Sequence, residues 1–564
     1  MRLRFIFLTI ILLFSSLLFG MDLSQTLDPI YRDLRVWSLR RLLPPLPSFR
    51  PYPLSLVKSL LEQVKEKGNP IEAARAQFYL NSIDEGLSPG FTIKHSSLFA
   101  VGYPNHDYDG TTAGYLTMNS FLITGLGVSG FAGAVAVDWA ANTTYPLGER
   151  RRFDFLLDDS SINLFDRNYL LSLSMGGIVS FGDEKLFAQV GLSRHGFGPF
   201  LDGMVFSPHA PAAPSFSFVW RTDEFYYSKY LLVLNATKDN KSTVITNGQE
   251  FYPNKYLAGQ SFQFFFFDNV LELSIYENVV FGQRVEPTYF IPIMSLLYMS
   301  INNGMWDNIL VGANFQLRLP FDLSLMGEFH ADDLNFLRIF RLNFDGKTKI
   351  AAQAGLAWLP FWGAFQGLEL RYALVTPYTF THVREFITGG YSNQLLINYK
   401  NYTHAGQGLV NLEPNSDRWE VQLRLVPNQF LNFNLIGRLL RHGNASDDGY
   451  TVSSQEFIGT TDGSFNDNGY ITPGGTHKFD SNRFLNQAII ETLYQVGFDY
   501  QLFLNMPVGV ITFSGGYLFE YGLNRRGEPF SGSLGTASFQ NRGVPVDGRN
   551  GVRHYVTLRL SIDL

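Results

Sequence analysis

Cysteine is missing from the sequence altogether. Its absence excludes disulfide stapling and also a lipid attached to a mature N-terminal cysteine. Charge is scarce: Asp, Glu, Lys and Arg make up 17% of the 564 residues, and the net of −6 gives no reason to expect nucleic acid. Past the N-terminus no apolar run reaches the roughly 20 residues that a helical membrane span requires. Alternation along strands is then the remaining way for this chain to cross lipid.

Alternation is what the sequence offers. From Val552 to Leu564, Val552, His554, Val556, Leu558, Leu560, Ile562 and Leu564 share one parity, while Arg553, Tyr555, Thr557, Arg559, Ser561 and Asp563 share the other. Side chains alternate faces along a strand, so one face is apolar and the other polar. A soluble sandwich could carry such a strand. A strand closing a membrane barrel fits better, because an open sheet edge in lipid strands backbone groups at several kcal/mol each.

The N-terminus carries Arg2 and Arg4, then an apolar run from Phe5 to Phe14, and reads as a secretory signal peptide over residues 1–20. Residues 21–90 switch to helical spacing. Ile30, Leu34 and Trp37 share a face after Pro29; Val57, Leu60, Leu61 and Val64 follow Pro53; Ile71, Ala74 and Phe78 follow Pro70. The expectation is a small, separable helical domain on the periplasmic side. From residue 91 to 564 the period is two. Trp419, Val421, Leu423 and Leu425 alternate with Arg418, Glu420, Gln422 and Arg424, and Asn314, Gln316 and Arg318 alternate with Phe315, Leu317 and Leu319. Tight turns at 182–185, 268–269, 320–322, 360–363, 427–429 and 505–507 alternate with long polar connections at 141–168, 195–215, 376–416, 441–492 and 522–550. That asymmetry fits outer-membrane barrels, with tight periplasmic turns and long extracellular loops. The count is about eighteen strands, with 216–236 and 336–344 the arguable segments. The fold class is therefore an all-β transmembrane antiparallel β-barrel with a small N-terminal α-helical domain. Glu277 breaks the pattern by falling on the apolar parity of Leu271, Leu273 and Ile275. It is expected either on a bulge or at the rim.

Four segments carry a family likeness: "DPIYRDLRVWSLRRLLPPLPSFRPYPLSLVKSLL" near the start, "GLSRHGFGPFLDGMVFSPHAPAAP" at 191–214, "SLMGEFHADDL" at 324–334 and "HAGQGLVNLEPNSDRWEVQLRLVP" at 404–427, with "LELSIYENVVFGQRVEPTYFIP" at 271–292 supporting them. In their order and spacing the chain resembles the Wzi-type capsule-assembly proteins of bacterial outer membranes. The resemblance implies an eighteen-stranded barrel partly occluded by its loops, acting as a lectin that holds capsular polysaccharide or exopolysaccharide at the cell surface. Its other partners would be outer-membrane lipid and the barrel-assembly machinery. The long connections 441–492 and 522–550 are idiosyncratic and leave the glycan open.

The segment Arg194 to Pro214 concentrates Arg194, His195, Asp202 and His209 among glycines and prolines. Arg, His and Asp can hydrogen-bond sugar hydroxyls or a uronate carboxylate. The same segment equally reads as an inward plug. Glu328, His330, Glu369, Arg371, Glu420 and Arg424 form a second, lumenal constellation, read either as an ion-pair network or as sugar ligands beneath the loop, with Glu328 and Arg371 foremost. His330 with Asp332 and Asp333 brings a hydrolase to mind, but no nucleophile motif accompanies them, so no catalytic residue is assigned. The stretch 462–469 holds Asp462, Asn466, Asp467 and Asn468 yet lacks the Glu that closes a calcium loop. It reads as a polar turn, and no metal or cofactor is expected. Tyr450, Phe457, Phe465, Tyr470 and Phe479 nearby suit stacking on sugar rings or a small loop core. A diffusion porin is the alternative function, since about eighteen strands can enclose a channel.

Overall fold

The computed structural model describes residues 29–85, 92–103, 113–126, 131–141, 162–164, 169–235, 254–282, 284–304, 307–333, 349–377, 379–380, 385–389, 393–397, 402–404, 407–443, 484–487, 489–506, 509–525 and 547–563. The expected signal peptide, the 462–469 stretch and the aromatic residues around it, and segment 336–344 lie outside the described residues.

Helical spacing and strand spacing separate as the sequence suggests. Three helices come first: α1 (Pro29–Leu39), α2 (Leu54–Lys67) and α3 (Pro70–Glu85). Proline fits the first turn, where its missing N–H has no intrahelical acceptor. A capping box fixes the start of α3: Asn69 Oδ1 accepts from the N–H groups of Ile71 and Glu72 at 3.0 Å, and Glu72 Oε2 accepts from Asn69 N–H at 3.0 Å. Ile30, Leu34 and Trp37 of α1 and Val57, Leu60, Leu61 and Val64 of α2 are buried together.

The rest is one antiparallel sheet whose pairing order is that of a closed barrel. Among the described residues it contains eighteen long strands, from Thr92–Tyr103 to Gly551–Asp563, plus the three-residue Ile162–Leu164. The last strand pairs with the first from Thr92↔Asp563 to Tyr103↔Val552. Parity follows the expected faces: Arg553 and Tyr555 are buried inward, whereas Val556 and Leu558 are exposed outward. Likewise Trp419 and Val421 point out while Arg418, Glu420 and Arg424 are buried. The arguable 216–236 segment supplies two regular strands, Ala213–Arg221 and Phe225–Asn235. The aromatic run Phe264 to Phe267 is accommodated because Phe267 leaves the strand with a positive φ and opens the tight turn.

The lumen is occupied. α1 to α3 enter from the end of the tight turns, where Arg41 donates to Arg318 O at 2.7 Å and Phe78 packs on Phe503 at 5.0 Å. Helix residues share one core with Phe187, Val219 and Phe503 of the wall. The three helices are therefore packed against the wall. Asp33 of α1 is the clearest reason: its carboxylate takes Arg75 of α3, Tyr79 Oη at 2.5 Å and Arg424 of the strand Ser416–Asn428. A buried carboxylate needs such partners, and one of them belongs to the wall.

Candidate functional site

From the opposite end, the segment following Leu186–Ser193 folds inward. Phe197, Phe200, Met204, Val205 and Phe206 are fully buried, so burial of this apolar surface drives the chain into the lumen. Gly196–Phe197 pairs with Phe49–Arg50, and Arg50 donates to Gly198 O at 3.1 Å and Phe200 O at 2.7 Å. Gly198 adopts φ +80°, and a Cβ there would stand 2.9 Å from Asn314 Nδ2 and 3.0 Å from Glu328 Oε1, so only glycine fits. Glu328, on the wall strand Leu323–Asp333, accepts from Met204 N–H at 3.0 Å.

Asp202 is the hub of the plug. Its carboxylate accepts from Ser207 Oγ at 2.6 Å, Asn411 Nδ2 at 3.1 Å and Arg418 Nη2 at 3.0 Å. Burial would raise its pKa, but Arg418, with His209 and the hydroxyl and amide donors, holds it well below the usual carboxylate range. Around it stands a charged wall. Arg371 pairs with Glu420 and lies 3.6 Å from Glu369; Arg438 reaches Glu420 at 2.5 Å; Arg35 of α1 forks both oxygens of Glu369 at 2.9 Å.

The residues expected from sequence thus divide by role. Asp202 and Arg371 meet in this wall. Arg194 shapes the plug, donating to Ala210 O at 2.9 Å and His209 O at 3.3 Å. His195 is inside the fold, stacked on Phe49 at 5.2 Å, and burial pushes its pKa down to about 4, so it is neutral at physiological pH. His209 is half-buried at the edge of the plug. Glu328 and His330 lie deeper, the His330 ring enclosed by Tyr276, Phe380 and Tyr402 at 5.4 to 5.7 Å. Sequence reasoning placed Glu420 and Arg424 inside but did not single out Arg418, Arg438 and Asn411. Their parity and loop position were readable, but Asp202, the partner of Arg418 and Asn411, lies more than 200 residues away, and Arg438 meets Glu420 only across two paired strands. Among the described residues no cluster of His, Asp or Glu is arranged to hold a metal ion.

A largely β-sheet molecule with N-terminal helices and an interior filled from both ends resembles a solved outer-membrane β-barrel in fold. In particular, the fold is similar to that of Wzi from Escherichia coli, an outer-membrane carbohydrate-binding β-barrel involved in group 1 capsule assembly: TM-score 0.51 and 13% identity over 96% of this chain and 98% of that one. OprD of Pseudomonas aeruginosa matches with TM-score 0.39 and 10% identity over 84% of this chain and 93% of its own. OccK8 (OprE) of the same organism gives 0.38 and 10% over 84% and 97%. No protein-family profile matches the sequence, and no curated protein does.

Proposed function

We propose that this protein is a non-enzymatic outer-membrane barrel that binds surface polysaccharide, with its helices on the periplasmic side and its long connections extracellular. The observation that carries the reading is the plug. An interior packed from one end by α1 to α3 and from the other by residues 196–210 favours holding a ligand over conducting solutes. The polar groups around Asp202, namely Asn411, Arg438, His209 and Arg371, suit hydroxyls and uronate carboxylates, which guanidinium groups bind with two parallel hydrogen bonds. That Wzi is a carbohydrate-binding barrel supports the same reading.

Purified protein should retain a uronate-containing capsular or exopolysaccharide and show little single-channel current in planar bilayers. The double variant Asn411→Ala, Arg438→Ala should bind about tenfold to a hundredfold more weakly with the barrel intact, since a hydrogen bond to a charged group contributes roughly 1.5 to 3 kcal/mol. Steady conductance without glycan retention would move the protein to the porins.

The membrane reading has its own test at the seam. Leu558 faces outward and is 48% exposed. Arginine there should cost about 2 to 4 kcal/mol if it lies at the bilayer midplane. Denaturant titration of folding into vesicles measures it, and a wild-type midpoint would remove Leu558 from the lipid face.

A further inference from the structure

Glu277 is neither on a bulge nor at an open rim. The strand Leu271–Gly282 pairs without interruption on both sides, and Glu277 stands in register with Gln260, which stands in register with Lys229. These three lie on the outward parity, across the wall from the lumenal Tyr230 and Asn278. They form a polar row where the strands should present only apolar side chains to lipid.

A neighbouring segment accounts for the row. Residues 284–304 fold back over the outside of the sheet, with a short 3-10 turn Pro287–Phe290 and a helix Leu296–Asn302. Glu277 accepts from Ser295 Oγ and Leu296 N–H, both at 2.7 Å; Gln260 donates to Met294 O at 2.8 Å; Ile293 N–H donates to Tyr227 Oη at 2.8 Å. Beneath, Tyr289 and Leu296 pack on Ala258, Val279 and Phe281. From Pro287 to Gly304 there is no charged residue. The outer side of the segment exposes Ile291, Ile293, Met294, Leu297, Tyr298 and Ile301, each 40% to 61% accessible. Charge is confined to the base, where Arg284 pairs with Asp307 at 2.6 Å and Glu286 at 3.2 Å.

We propose that residues 287–304 form a lateral element inserted among the acyl chains of the outer leaflet, an interaction surface for lipid. The inference rests on the membrane reading above. In water, the backbone groups of Ile293, Met294 and Leu296 would need no help, and six large apolar side chains on one outer face would be a liability. In hydrocarbon the situation reverses: irregular backbone costs several kcal/mol per unpaired group, and only side chains of the wall can satisfy it. Tyr227, Gln260 and Glu277 do so at Ile293 and Met294, between the 3-10 turn and the helix, and at Leu296, where the helix begins.

The absence of cysteine makes the test direct. Nitroxide labels are placed singly through Tyr298→Cys and Ile301→Cys, with Ile275→Cys as the outward strand reference and Glu184→Cys as the reference in an exposed turn. Collision with oxygen, which partitions into lipid, is compared with collision with a water-soluble nickel chelate in phosphatidylcholine vesicles. Labels at 298 and 301 should match the strand reference in favouring oxygen, and adding Glu277→Leu should shift them toward the nickel chelate. If the strand label favours oxygen while 298 and 301 behave like the turn, the lateral insertion is overturned and the membrane reading stands. If the strand label also favours nickel, both are overturned. Low collision with both reagents together with spin–spin broadening between copies would assign the face to a second copy of the chain and overturn the lipid assignment.

Discussion

Replacing Asp33 with alanine is expected to cost the folded protein about 3 to 5 kcal/mol, because it leaves the guanidinium groups of Arg75 and Arg424 buried without their shared carboxylate. Arg75 and Arg424 are both almost fully enclosed, so water cannot take the place of the carboxylate. The loss should fall on the attachment of α1 and α3 to the wall. It would appear as a lowered denaturant midpoint and as protease cleavage within residues 29–85 of protein folded into vesicles. Unchanged cleavage and midpoint would mean that the apolar core between helices and wall suffices alone. The same group sets a pH dependence. Burial pushes the Asp33 carboxyl up, but Arg75, Arg424 and Tyr79 more than reverse this and bring it down to about 2 from an unfolded value of 3.8. A depressed carboxyl stabilises fully above its unfolded pKa and loses that contribution as the pH falls through the folded one. Between pH 4 and pH 2 the wild type should therefore lose about 2 kcal/mol more than Asp33→Ala.

Arg418→Met is the counterpart at the plug. It removes the cation held 3.0 Å from the Asp202 carboxylate and should loosen the plug by about 3 kcal/mol. Ser207 and Asn411 would still donate to Asp202, so the segment should open without the barrel unfolding. Expected results are new protease cleavage within residues 198–210 and, on the proposed function, loss of glycan retention, with unchanged barrel abundance. Adding Asp202→Asn to the same chain should recover part of the stability, since the unpaired charge is then gone, and the non-additivity measures the coupling. If cleavage and glycan retention both match wild type, Asp202 and Arg418 are not what seats the plug.

The elements themselves were readable because two periods write themselves into composition. The inside and the outside of the sheet demand opposite polarities, so Arg418, Glu420 and Arg424 declare their face by alternating with Trp419, Val421 and Leu423. The helices declare theirs through Ile30, Leu34 and Trp37. What alternation leaves open is who meets whom. Asp33 and Arg424 are 391 positions apart, and Arg35 and Glu369 are 334 apart. No local spacing encodes such a pair; register and barrel closure do. His195 shows the other gap: beside Arg194 and Asp202 it has the composition of a sugar contact, yet the apolar content of Phe197, Phe200 and Phe206 carries it inside. Glu277 was visible as an exception. Its explanation needed the uncharged stretch from Pro287 to Gly304 to be read together with it, and the connection carrying that stretch does not look like an ordinary polar loop.

The pairing of Thr92–Tyr103 with Gly551–Asp563 joins the ladder's most distant neighbours in sequence, so bringing them together bears the largest loop-closure entropy of any pairing in the sheet. Glu369 and Arg424 of the wall hold Arg35 and Asp33 of α1, so the contacts that the seated helices make with the closed wall offset part of that entropy. The interior acts as a mandrel that helps hold the cylinder closed.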